Sequence, residues 1–163
     1  MATQFTTEYA KDLDPRTNGI LSVYQNMNPL FAYRFALTAA AGIDGEVINL
    51  RFLPPGRFVV YPRLSYLQID ALGAARVIAI GTAAYTDEAG NAVGAAASAY
   101  DTGVSVASAV NLQLGSSVAA GTGGIFEYNS RSGITIQATI TGGTVPAASK
   151  INGFIMIGTP GGC

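Results

Sequence analysis

Ten carboxylates, nine basic side chains and one thiol are what this chain brings to acid–base, nucleophilic or metal chemistry, and it contains no histidine. The missing imidazole removes the commonest general base and the commonest metal ligand. A hydrolase built on paired acids needs two carboxyl groups that converge on one bond. The close pairs here are Asp12 with Asp14, Asp44 with Glu46, and Asp87 with Glu88, and all of them fall in or beside turn-like segments where acids keep a loop soluble. Asp70, Asp101 and Glu127 stand singly. A serine flanked by glycine two residues away on both sides, the nucleophile elbow, does not occur. Gly121-Thr122-Gly123-Gly124 lacks the lysine and the helix of a phosphate loop. Asp87, Glu88 and Asn91 form a hydrophilic tip, but calcium takes about six to eight oxygens, so a solvated turn explains them better. Cys163 has no second cysteine to pair with, and a prenylation signal would place it about four residues from the end. A frayed tail is expected there. The residues therefore predict no enzyme, no catalytic group, no metal site and no cofactor. Seven tyrosines (Tyr24, Tyr33, Tyr61, Tyr66, Tyr85, Tyr100, Tyr128) could stack on sugars. Tyrosine as readily plugs a core edge or an interface, and there is no tryptophan to strengthen the sugar reading.

What positions these groups is β-structure. Gly133 to Ile140 alternates apolar and polar residues without a break, the repeat of a strand with one wet and one buried face. Ile134, Ile136, Ala138 and Ile140 share the inner side. Lys150 to Ile157 is a second β-branched run, expected to return beside the first across a connection too long for a two-residue hairpin. Phe31, Tyr33, Phe35 and Leu37 define another alternation, and Ile48, Leu50 and Phe52 a third. Pro54-Pro55-Gly56 has the chemistry of a type II turn, so Arg57 to Tyr61 is expected to come back antiparallel with Phe58 and Val60 inward. Leu64 to Asp70 reads as a strand, Leu72-Gly73-Ala74 as its turn, and Val77 to Ile80, apolar on both faces, as a central or covered strand. Ala95 to Ala99 is expected to form at most one helical turn, with strand from Val104 and again from Ile125 to Tyr128. Some eight to ten short strands without a long helix predict an all-β fold, an antiparallel β-sandwich of jelly-roll-like kind.

Residues 1–28 differ from the rest. Asp12 to Gly19 is loop chemistry, and Phe5, Tyr9, Tyr24 and Met27 are apolar anchors with no regular spacing. They read as an extended N-terminal arm or, nearly as well, as a first strand plus a loop packed on its own domain; the arm reading leaves one sandwich domain over residues 29–163. Only 12% of the chain is charged, against about a quarter in ordinary soluble domains, so part of the exterior is expected to be covered by other subunits. A net charge of -1 argues against a nucleic-acid binder, which would carry a basic stripe. The N-terminus lacks a basic start followed by an apolar core, and no run of about 18 apolar residues spans a bilayer. Neither nucleic acid nor membrane is expected as a partner.

Several blocks carry a family likeness. These are Leu53 to Gly56, Pro62 to Ser65, Ala71 to Arg76, Ile80-Gly81, Ala84 to Asp87 and Gly90 to Val93, closing with Gly133 to Ala138, Gly142 to Ala147 and Asn152 to Phe154. Together they resemble the decoration or cement proteins of tailed-bacteriophage heads over most of residues 50–158. The resemblance implies a structural virion protein on the capsid surface, made in the host cytoplasm. It would bind between major capsid protein subunits as a homo-oligomer, with a trimer favoured, and it carries over no catalytic residue. The expected contacts are Phe5, Tyr9, Tyr24 and Met27 on the arm, with Phe154 and Met156 on the wet side of the last strand. A β-rich tail-fibre or receptor- and carbohydrate-binding module is the alternative.

Overall fold

A computed structural model describes residues 3–5, 30–116 and 124–158. They form thirteen strands and no α-helix. In chain order these are β1 (Thr3–Phe5), β2 (Leu30–Thr38), β3 (Glu46–Leu53), β4 (Gly56–Val60), β5 (Tyr66–Ile69), β6 (Val77–Thr82), β7 (Tyr85–Thr86), β8 (Ala92–Val93), β9 (Ala96–Ser105), β10 (Val110–Gln113), β11 (Phe126–Ser130), β12 (Ile134–Thr141) and β13 (Lys150–Gly158). The first sheet runs β1-β3-β12-β6-β9. The second holds β10, β5, β13, β4 and β11, with β2 on the far side of β13. Strands β7 and β8 make a separate small hairpin. Apart from β1, which lies parallel to β3, every pairing is antiparallel.

One core lies between the sheets. Ile48, Leu50, Ile78, Ile80, Ile136, Ala138 and Ile140 come from the first; Phe35, Phe58, Val60, Leu67, Ile69, Ile151, Ile155 and Ile157 come from the second. Period-two alternation puts them there: the inward positions of β12 and of β2 are those the sequence pattern marks. As expected of a segment apolar on both faces, β6 is central, between β12 and β9.

Partner choice departs from the sequence reading. β12 and β13 do not pair; they lie in opposite sheets, joined through residues 142–149. The Pro54-Pro55-Gly56 turn likewise carries the chain from β3 across to β4 in the other sheet, and the turn at Leu72-Gly73-Ala74 carries it from β5 across to β6. Gly56 does take a positive φ, 141°, so the turn chemistry holds while the pairing does not. A short turn closes a hairpin or arches over the core equally well, and what decides is which arrangement buries both inward faces.

Two further differences have local causes. Residues 95–99 are not helical: Ala96 to Ser105 is one continuous strand, because pairing with β6 overrides the weak helical preference of alanine. In β3 the alternation slips, since Ile136 faces Arg51 while Gln137 faces Asn49, leaving Leu50 as a bulge. Phe52, expected inside, is only half-buried, and Leu53 takes the inner position at 2% exposure.

β4 and β5 are collinear. Val59 and Val60 pair with Gly158 and Ile157, and Tyr66 to Ile69 pair with Phe154 to Ile151, so both run along one side of β13. Between them the chain leaves the ladder in a 3-10 turn, Pro62–Leu64. Ser65 closes the gap. Its Oγ accepts the Met156 N–H at 2.9 Å and donates to the Tyr61 carbonyl at 2.8 Å, while the Tyr61 N–H donates to the Met156 carbonyl at 2.9 Å.

Candidate interaction surface

The carboxylates stitch loops. Asp44 Oδ1 accepts the Gly142 and Gly143 N–H groups at 2.9 and 3.3 Å. Asp70 accepts the Lys150 N–H at 2.8 Å. Asp101, fully buried, accepts the N–H groups of Thr102 and Gly115, and buried Glu46 accepts the Ile43 N–H. Asp87 takes both the backbone and the side-chain N–H of Asn91, at 2.7 and 3.1 Å, and those bonds hold its carboxyl below the usual carboxylate range. Its neighbour Glu88 is bonded instead to the Asn129 amide. The two acids of this tip therefore turn to different partners. Asp12 and Asp14 lie outside the described residues. Among the described residues no three metal-ligating side chains gather, and no helix is long and apolar enough to cross a membrane. An apolar cleft lined by Phe31, Tyr33, Pro54, Pro55, Phe58 and Ile157 has room for about 40 Å³, enough for a few waters and too little for a cofactor.

The tyrosines separate into inner and outer groups. Tyr100 is fully buried and donates to the Tyr128 hydroxyl at 2.8 Å, joining β9 of one sheet to β11 of the other. Phe58 stacks on Tyr128 at 5.6 Å, and Tyr85 and Phe126 meet the pair edge-on. Burial pushes the Tyr128 phenol up to about 12, and burial raises Tyr100 well above its ordinary value. Tyr33 lies under the Arg51 guanidinium, 4.9 Å from ring centre to Cζ. These four serve packing. Tyr61 and Tyr66 remain toward the outside, and Tyr24 lies outside the described residues.

The outer faces of the two sheets differ in chemistry. On the first sheet, the polar positions of the β12 alternation are half-buried Thr135 and Thr139 and buried Gln137. On the second, β13 turns out Asn152, Phe154 and Met156, all half-buried. Register places Leu30, Ala32 and Arg34 of β2 opposite Gly158, Met156 and Phe154, and Tyr66 of β5 opposite Phe154 on the other side. The Tyr66 and Phe154 rings stack with centroids 6.2 Å apart. Gly158 has no side chain, and the Tyr61 ring and Leu30 close over the space. Leu30 and Leu64, on the adjoining 3-10 turn, are 51% and 52% exposed, so the patch is apolar and open at one end of the sheet. Towards the other end it gives way to Ala36, Asn152, Gln68 and Asn111.

Phe154 and Met156, singled out from sequence, thus sit side by side on the exterior of β13. Tyr66, named from sequence only as a sugar-stacking candidate, stacks on Phe154, and Leu30, not named at all, lies opposite Gly158. No sequence signal joins these two to Phe154 and Met156, because they reach this face only through non-local pairing. Of the arm residues, Tyr9, Tyr24 and Met27 lie outside the described residues. Phe5 is described by its backbone alone, opposite Asn49 of β3.

The class defined is a two-sheet antiparallel β-sandwich whose second sheet carries an open apolar patch. No family model and no curated protein matches the sequence. Solved structures do share the fold. A chain from the capsid of Ralstonia phage GP4 is similar with a TM-score of 0.65 and 14% identity, over 99% of this chain and 100% of that one. A chain of the cyanophage Pam1 capsid asymmetric unit is similar with a TM-score of 0.50 and 14% identity, over 84% of this chain and 88% of that one.

Proposed function

We propose that this chain is a structural protein of a bacteriophage virion, one that decorates the capsid and stabilises it by binding where major capsid protein subunits meet. The observation that carries the reading is the end-to-end match of this fold to a phage capsid chain of nearly the same length. The 12% charged content and the open patch around Phe154 and Met156 support it, since both suit a surface covered in an assembly. Phe154 and Met156 are the body's contacts, joined by Tyr66 and Leu30; Phe5, Tyr9, Tyr24 and Met27 are those of an arm over residues 1–28. Protomers associate, with a trimer favoured. The mechanism is mass action: a subunit that binds only the assembled lattice stabilises it by about RT ln(1 + [L]/Kd) per site.

Cosedimentation with purified phage shells tests this. The intact chain is expected to pellet with shells, and the double variant Phe154→Ser/Met156→Ser, altered only on the exterior of β13, is expected to pellet at least tenfold less. A chain lacking residues 1–28 is expected to lose binding as well. If the intact chain stays in the supernatant, the decoration reading is wrong.

A further inference from the structure

Two arginines flank the apolar patch, one on each side of β13. Arg34 lies on β2 opposite Phe154. Arg63 lies beside Leu64 on the 3-10 turn, between β4 and β5 on the other flank. Both are exposed. Their backbone carbonyls accept hydrogen bonds, from Arg51 and from Gln113, but neither guanidinium has an acceptor among the described residues. The carboxylates are placed differently. Every one on a described residue except Glu127 accepts a hydrogen bond within the chain. Glu127 is exposed on β11, with β4 and β13 between it and Arg34. Aromatic residues, methionine and arginine are the types enriched where proteins meet, and arginine grips a carboxylate through paired N–H donors. A nucleic acid would call for a basic stripe rather than two charges beside an apolar centre. A second copy meeting this patch through its own body brings one unengaged carboxylate, Glu127, to two arginines and leaves one of them unanswered.

We propose that the Phe154–Met156 patch docks an acidic-rimmed surface of a different polypeptide, whose apolar side chains cover Phe154, Met156 and Leu30 and whose carboxylates meet Arg34 and Arg63. The inference deepens the decoration reading and rests on it: the different polypeptide is the shell subunit. The apolar centre holds the complex. The arginines steer its approach and fix its orientation, because charges at an interface rim act mainly on the rate of association and are screened by salt.

Purified phage shells are the probe, and pelleting of the full chain is measured between about 50 and about 500 mM NaCl. At the lower salt, Arg34→Glu/Arg63→Glu is expected to weaken binding at least about tenfold while unfolding in urea as the unaltered chain does. Arg131→Glu, which reverses an exposed charge in the turn after β11, is expected to weaken it less than about twofold. Arg34→Lys/Arg63→Lys keeps both charges and supplies amines. Carbodiimide joins those amines to carboxylates in contact with them, and mass spectrometry of the linked peptides identifies the chain. Links from position 34 or 63 to a shell subunit support the proposal. Links only to carboxylates of this chain (Glu127, or Glu8, Asp12 and Asp14) overturn it, as do no links at all or a charge-reversed variant that pellets like the unaltered chain. In those cases the intact chain still pellets and the decoration reading stands. An intact chain left in the supernatant sinks both.

Discussion

Replacing Ser65 by alanine removes the one side chain that mends the ladder beneath the Phe154–Met156 patch. Ser65 is 1% exposed. Its Oγ accepts the Met156 N–H at 2.9 Å and donates to the Tyr61 carbonyl at 2.8 Å. The Tyr61 carbonyl keeps a second donor, the Leu64 N–H at 3.1 Å, so the loss there is that of an ordinary bond, about 0.5–1.5 kcal/mol. The Met156 N–H is left facing a gap in the pairing, which costs about 1–3 kcal/mol. Allowing for partial relaxation, the variant is expected to lose about 2–3 kcal/mol, a large share of the ~5–15 kcal/mol that holds a domain together. For a chain of this size that is a fall in Tm of roughly 4–12 °C. Urea unfolding gives the free energy, and hydrogen exchange at the Met156 amide shows whether the loss is local. Ser149→Ala is the control, because buried Ser149 makes one hydroxyl bond, to Pro146, at 3.0 Å. A loss for Ser65→Ala below about 0.5 kcal/mol, with the Met156 amide still protected, would refute the claim that the hydroxyl stands in for a missing strand residue.

The buried tyrosine pair predicts strong non-additivity. Tyr128→Phe strands the Tyr100 hydroxyl and is expected to cost about 1–3 kcal/mol, Tyr100→Phe less, and the double variant less than the two together, with a coupling near 1 kcal/mol by urea unfolding. The same pair sets an alkaline limit. Tyr128 holds its proton to about 12 in the folded chain against 10.0 ordinarily. A raised folded value means its contribution is complete below pH 10 and is lost as pH climbs from 10 to 12, at most about 2–3 kcal/mol, and Tyr100 adds in the same direction. Absorbance at 295 nm should show these two phenols ionising only with unfolding, and the Tyr100→Phe/Tyr128→Phe variant should lose that late step. Finally, Gly153→Ala drives a methyl into the Tyr66 carbonyl and the Phe35 ring, so it is expected to cost at least about 3 kcal/mol or to abolish soluble expression.

How much of this was legible in the residues depends on how local each feature is. Alternation at Ile134 to Ile140 and at Phe31 to Leu37 marked strands and their inner faces, because the pleat repeats every two residues whatever the strand pairs with. The same pattern placed Phe154 and Met156 on the outward face of β13. The bulge at Leu50, which turns Phe52 outward, left no local trace, since it is a property of two strands in register.

Pairing itself was decided only by the tertiary structure. Pro54-Pro55-Gly56 and the segment between β12 and β13 are compatible with a hairpin within one sheet or an arch to the other, and both made the arch. The arch puts Phe58 and Val60, and Ile151, Ile155 and Ile157, across from Ile48, Leu50 and Ile136. That choice also sets Tyr66 against Phe154 and Tyr100 against Tyr128, contacts between segments remote in sequence. Turn chemistry fixes how the backbone bends over a few residues. Which strands then lie together follows from burying every apolar face at once, a condition on the whole chain that no segment carries alone.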